Sequence, residues 1–162
     1  MLKQVDKNNL KIKPLDCNLE PEIYHPNDIV NGYYDDFFIV GMYCVRRLYK
    51  DDEFVSDMIK SIDEKFNKKN DLINSINNNR TVYIPKFKII KNMQNKGFGY
   101  SMQIESLKKE NLPKNTEYVL LYVKPDNIIA LNMHIKAGGR ICGYWDGSDG
   151  FTKDYLIYYK II

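Results

Sequence analysis

Gln94-Asn95-Lys96-Gly97-Phe98-Gly99 is the stretch on which the reading of this chain turns. It follows Val82 to Ile90, an apolar run that reads as a strand, and opens Gly97 to about Glu110, which reads as a helix stopped near Pro113. A helix start leaves backbone N–H groups without intrahelical partners and carries the positive end of the helix dipole. Glycines at that point let the backbone close around phosphate oxygens, which a Cβ would obstruct. The loop has no Lys-Ser/Thr pair after its glycines and no third glycine of a dinucleotide fingerprint, so a nucleotide-binding domain ranks low.

Outward from the loop the elements alternate. Pro85 interrupts the Val82–Ile90 strand and predicts a bulge or an edge, because a proline cannot donate to a ladder. Glu117 to Val123 is a strong strand, and Asn127 to Ala137 a helix capped by Asp126 or Asn127 and ended by Gly138-Gly139. Arg140 to Trp145 and Tyr155 to Ile162 read as two more strands, joined by a hairpin loop at Asp146-Gly147-Ser148-Asp149-Gly150.

On the other side, Leu10 to Lys13 alternates like a short edge strand, and Pro21, Pro26 and Asn31-Gly32 read as turn signals. Phe37 to Val45 is nearly continuous in apolar residues, as expected of a strand covered on both faces. A helix is expected over about Glu53 to Phe66, capped by Asp51 or Asp52. Phe54, Val55, Met58, Ile59, Ile62 and Phe66 would form its packed face, and Ser56, Asp57, Lys60, Asp63 and Glu64 its solvated one. The Asn- and Lys-rich stretch from Asn67 to Asn79 reads as including a loop.

At 162 residues and 44% hydrophobic, the chain fits one domain with a full core. Its net charge of +3 comes from interspersed Lys, Arg, Asp and Glu without a basic block, so nucleic acid is not an expected partner. Cys17, Cys44 and Cys142 are odd in number and form no C-x-x-C pair, which argues against a disulfide framework and a zinc site. Met1 is followed by polar residues rather than a signal h-region, and no apolar run reaches the roughly 18 to 20 residues of a membrane span. A cytoplasmic protein with no metal and no membrane contact is expected; its oligomeric state is open.

The motif Gln94-x-x-Gly97-x-Gly99 matches the pyrophosphate loop, Gln/Arg-x-x-Gly-x-Gly/Ala, of the GNAT (GCN5-related) N-acetyltransferases. Asn127-Ile-Ile-Ala130-Leu-Asn-Met-His134-Ile-Lys136-Ala-Gly138 resembles that family's Asn-x-x-Ser/Ala-x-x-x-Tyr/His-x-Lys-x-Gly segment without a gap, ending in Gly139 where the family usually has Phe. The resemblance covers Val82 to Ile162. It departs upstream, where the family sets its early helices after the first strand.

The resemblance implies an α/β (α+β) domain over 1–162. A mixed, mostly antiparallel twisted sheet would be flanked by helices and splayed into a V at the acyl-CoA site. Residues 82–162 would form the acyl-CoA-binding half and 1–81 the acceptor side. It implies acetyl transfer from acetyl-CoA to a small-molecule or peptide amine in a ternary complex. Gln94, Asn95, Lys96, Gly97, Phe98, Gly99 and Tyr100 would hold the pyrophosphate, a backbone N–H at Ile89 or Ile90 would polarise the carbonyl, and Asn127 would meet the pantetheine arm.

His134 stands where the family commonly has a proton-donating tyrosine, so an imidazolium there is expected as general acid. Tyr83 is a candidate proton relay on a strand with no carboxylate, and no general base is identified. Asp35, Asp36 and Glu53 are candidates for lining an acceptor pocket. Trp145 with Tyr144, Tyr155, Tyr158 and Tyr159 would shape it or simply pair across the hairpin. The alternative to an enzyme is a non-catalytic acyl-CoA-binding module of the same fold.

Overall fold

A computed structural model describes residues 10–14, 27–35, 38–146 and 153–162. Among these the order is β1 (Lys11–Pro14), β2 (Asp28–Tyr34), β3 (Ile39–Arg47), α1 (Glu53–Ser61), α2 (Lys69–Asn77), β4 (Thr81–Ile89), α3 (Phe98–Ser106), β5 (Tyr118–Val123), α4 (Ile128–Lys136), β6 (Arg140–Asp146) and β7 (Lys153–Lys160). The strands make one seven-stranded sheet in the order β1-β2-β3-β4-β5-β7-β6, antiparallel except where β4 meets β5.

Helices cover both faces. Phe98 and Met102 of α3, with Ala130 and Leu131 of α4, pack on Val82, Ile84, Val119 and Leu121. On the opposite face Val55 and Met58 of α1 and Leu72 and Ile76 of α2 pack on Tyr118, Leu120 and Leu156. Successive β5 residues thus enter opposite cores, which is why that strand is apolar at every position.

The feature that opens the site is on β4. Between the pairs Arg46↔Tyr83 and Cys44↔Lys86, β3 advances two residues while β4 advances three. One extra residue is accommodated at Ile84–Pro85, the bulge that Pro85 predicted. Its consequence is a change of face: Val82 and Ile84 belong to the α3/α4 core and Tyr83 to the opposite side, but beyond the bulge Phe87 and Ile89 turn to α3 and α4. The parallel pairing of β4 with β5 also ends there, after Thr81↔Tyr118, Val82↔Val119 and Tyr83↔Leu120, whereas β5 stays paired with β7 to Val123. The sheet splits into a V with Tyr83 near its apex.

Three elements differ from the sequence reading. The helix expected to reach Phe66 ends at Ser61, because Ile62 turns extended and bridges Gly143 of β6 while the Asp63 N–H donates to Cys142 O. The Asn/Lys-rich stretch, read only as including a loop, also contains α2, whose Leu72 and Ile76, one turn apart, are fully buried; tertiary burial overrides the weak helix propensity of asparagine. Asn31-Gly32 is no turn but the middle of β2, paired with Tyr43 and Met42. Pro21, Pro26, Cys17 and Asp36 lie outside the described residues, as does the hairpin loop beyond Asp146.

Candidate active site

The Gln94–Gly99 loop leaves the end of β4 through a 3₁₀ turn at Lys91–Met93 and enters α3 at Phe98. Its bends are made by two left-handed residues, Asn95 at φ 61° and Gly97 at φ 82°. Asparagine tolerates that region and glycine has no Cβ to resist it. The Gln94 side chain serves the loop itself: its Nε2 donates to Ile89 O at 3.0 Å, tying the loop to β4. Phe98 is buried and its side chain anchors the start of α3 in the core.

A cavity of about 510 Å³ lies between this loop, α4 and the free arm of β4. Asn95, Gly97, Gly99 and Tyr100 form its loop wall, and Phe87, Ile89 and Met133 an apolar wall. Asn127 lines it too, while its Oδ1 caps α4 by accepting the Ala130 N–H at 3.2 Å. The sequence reading did not pick out Lys136 as a site residue. Its ammonium sits over the Tyr100 ring, 4.5 Å from the centroid, on the same wall. The motif register that aligned Lys136 was the available signal. Lys96 is exposed and lies outside the lining.

This geometry suits an acyl-CoA. The N-terminus of a nine-residue helix, a lysine and several apolar side chains line one cavity. Of the two residues expected to polarise a carbonyl, the ladder selects one. The Ile90 N–H donates to Val40 O at 2.9 Å and is committed to β3. In the antiparallel alternation the adjoining Gly41↔Ile89 pair is then the one without direct bonds, so the Ile89 N–H points away from β3, to the side where β5 has parted. Ile90 is therefore corrected to a structural residue.

His134 does not have the placement expected of a general acid. It is only 4% exposed, on the inner side of α4, and does not line the cavity. Its Nδ1 lies 2.8 Å from the Tyr159 hydroxyl, which also reaches His134 O at 3.1 Å, and its ring meets Phe87 edge-on. Burial pushes its pKa down from 6.5 to about 4, so the imidazole is neutral at physiological pH. A core position between α4, β4 and β7 replaces the expected imidazolium. Gly139, where the family pattern has Phe, follows from the same packing: a Cβ there would lie 2.8 Å from Ile157 and 2.9 Å from Tyr159.

Tyr83 lies on the opposite face, in a second cavity of about 230 Å³ with Arg46, Phe54, Asp57, Tyr122 and Trp145. Burial raises its phenol pKa, partly offset by Arg46, and that of Tyr122 is pushed up to about 12, so both remain protonated. Asp57, read from periodicity as a solvated residue, lines this pocket, whereas Asp35 is buried at the β2–β3 connection and Glu53 is outside the lining. The hairpin aromatics disperse. Trp145 enters this pocket, Tyr144 pairs with Tyr155 at 5.4 Å, Tyr158 packs on Phe66, and Tyr159 joins His134 in the core.

Among the described residues no group of three or more His, Cys, Asp or Glu could hold a metal ion, and no helix is long and apolar enough to cross a membrane. Cys44 and Cys142 are buried, and burial pushes the Cys142 thiol up to about 12.

No family model matches the sequence, and no curated protein matches it. Solved structures do match in three dimensions. A Bacillus subtilis acetyltransferase in complex with CoA superposes with a TM-score of 0.62 at 13% identity, over 94% of this chain and 99% of that one. Spermidine N-acetyltransferase from Vibrio cholerae, with CoA and spermine, gives 0.62 at 12% identity over 95% and 96%. The ribosomal-protein-S18-alanine N-acetyltransferase of Escherichia coli gives 0.61 at 9% over 94% of each chain. The chain has the GNAT fold: a mixed, mostly antiparallel seven-stranded sheet with helices on both faces.

Proposed function

We propose that this protein is an N-acetyltransferase that moves an acetyl group from acetyl-CoA to a primary amine. The observation that carries the reading is the V between β4 and β5, with an anion-binding helix start and an apolar cleft on one face and a separate pocket on the other. Such a split lets two substrates approach one point from opposite sides, which converts a bimolecular reaction into one between positioned partners.

In this reading the helix start at Gly97–Tyr100 and Lys136 hold the pyrophosphate, and Phe87, Ile89 and Met133 flank the pantetheine arm. Acetyl-CoA supplies an activated thioester carbonyl. The Ile89 N–H polarises that carbonyl from the open side of β4. The amine forms the new C–N bond as the C–S bond breaks; it gives up a proton, and the leaving sulfur takes one. Tyr83, protonated and nearest the apex, serves the proton transfer in place of His134. A binding module without turnover is the second reading, favoured by the neutral, enclosed His134.

Calorimetric titration with acetyl-CoA, in the wild type and in Gly99→Asp, tests the cofactor half. Micromolar binding that the variant loses supports the reading; no binding by the wild type overturns it. Thiol release across an amine panel then separates enzyme from module.

A further inference from the structure

The pocket on the α1 face has a chemistry of its own. Its wall is an arc of four rings: Phe54 and Tyr83 with centroids 6.1 Å apart, Tyr83 and Tyr122 at 6.0 Å, Tyr122 and Trp145 at 5.8 Å. Such faces attract cations. One cation already uses half of the arc, since the Arg46 guanidinium carbon lies 5.0 Å from the Phe54 centroid and 5.7 Å from that of Tyr83.

Arg46 is also committed in its hydrogen bonds. Its Nε and one terminal nitrogen donate to the two carboxylate oxygens of Asp28, at 2.5 and 3.1 Å. The pair is nearly enclosed, with side-chain exposures of 13% and 1%. One of the two edges by which a guanidinium clamps a carboxylate is therefore taken, and its charge is balanced by Asp28. Two further carboxylates remain. Asp57 lines the pocket, and Asp154, which pairs with Trp145 across the hairpin, acts electrostatically on both Tyr83 and Tyr122. With Asp28 neutralised by Arg46, the surroundings are net negative.

We infer that this pocket takes the acceptor, and that the acceptor is a compact organic ammonium with an apolar body and no carboxylate. The inference rests on the acetyltransferase reading and deepens it. The rings of Tyr122 and Trp145 receive the apolar body and the cationic head, and Asp57 and Asp154 attract the ammonium. A carboxylate on the acceptor meets those same two anions, and the pocket's one lining cation, Arg46, is already paired with Asp28. Amino acids are thus discriminated against by charge, and the small volume disfavours bulky acceptors.

The chain carries its own reporter, because Trp145 is its single tryptophan. Phenethylamine and phenylalanine, which differ by one carboxylate, are titrated against the emission of the full chain, with and without CoA. The same compounds are assayed with acetyl-CoA for thiol release. Phenethylamine is expected to shift the emission and to bind at least tenfold more tightly than phenylalanine; Asp57→Asn, at an exposed position, is expected to lose about fivefold of that affinity. A response to phenethylamine without thiol release leaves an amine-binding pocket standing but overturns its role as an acceptor site, in favour of the binding module. Thiol release with amines that leave Trp145 unperturbed, or equal affinity for phenylalanine, overturns the pocket assignment.

Discussion

The rings of Tyr83 and Tyr122 meet edge to face with centroids 6.0 Å apart, although their strands stop pairing at Tyr83 and Leu120. The contact crosses the V just where the strands part, on the α1 face, so the two phenols flank the point where the proposed substrates meet. They are not equivalent. The Tyr122 hydroxyl is hydrogen-bonded to Ser61 Oγ at 3.3 Å, whereas Tyr83 lies nearer Arg46.

Removing the Tyr83 hydroxyl should therefore cost turnover. Tyr83→Phe is expected to lower kcat on the order of 10²-fold with little change in KM for acetyl-CoA, as befits a lost proton-transfer group. Tyr122→Phe should cost clearly less. Steady-state thiol release at saturating amine measures both, and an unchanged kcat in Tyr83→Phe removes the relay.

Acid should destabilise the protein through His134. The unfolded chain binds this proton from about pH 6.5 and the folded chain only from about 4. Between those values the unfolded state holds more protons, so stability is fully present above 6.5 and falls as pH drops toward 4. The loss from pH 7 to 4.5 should be roughly 2–3 kcal/mol greater in wild type than in His134→Gln. Urea unfolding at the two pH values checks it; parallel losses would show that the imidazole does not titrate this way.

The two loop glycines should differ in what a Cβ costs the fold. Gly97→Ala forces a Cβ into the left-handed region and is expected to cost about 1 kcal/mol of stability. Gly99→Ala should be nearly neutral in stability, since its Cβ would find Ile89 and Met133 at ordinary contact distances of 3.8 and 4.0 Å. Thermal melts of the two variants, run together, decide the contrast.

Gly143 is the tightest test of the helix–sheet junction. A Cβ there would come 1.9 Å from Ser61 O, a backbone atom at the end of α1. Gly143→Ala should cost about 3 kcal/mol or more, because neither β6 nor the chain leaving α1 can yield without breaking the Ile62–Gly143 bridge. A melting temperature within a degree of wild type would contradict that contact.

Much of the second half is legible in the amino-acid sequence. The strand before Gln94, the glycine pair, the β5 run and the α4 cap are local signals whose physics is complete within a few residues. Pro85 likewise announces a bulge or an edge, because a missing N–H is a property of the residue alone; the structure chose the bulge. The first half is less legible for reasons that particular residues show. Ile62 fits the helical stripe of α1 but leaves it for a partner eighty-one positions away, Gly143, which no local pattern names. Leu72 and Ile76 form a helix among asparagines because a sheet lies beneath them.

Sequence by itself determined the alternation of elements and the anion-binding turn, since these depend on backbone freedom, hydrogen-bonding capacity and the spacing of apolar side chains. Only the tertiary structure decided the chemistry. His134 and Asp57 both sit on helices in registers that read plainly. Yet packing against Tyr159 and Phe87 leaves the first neutral and enclosed, and the arc of aromatic rings gives the second a pocket to line. Charge state and access depend on what surrounds a group in three dimensions, and those neighbours come from strands and helices far apart along the chain.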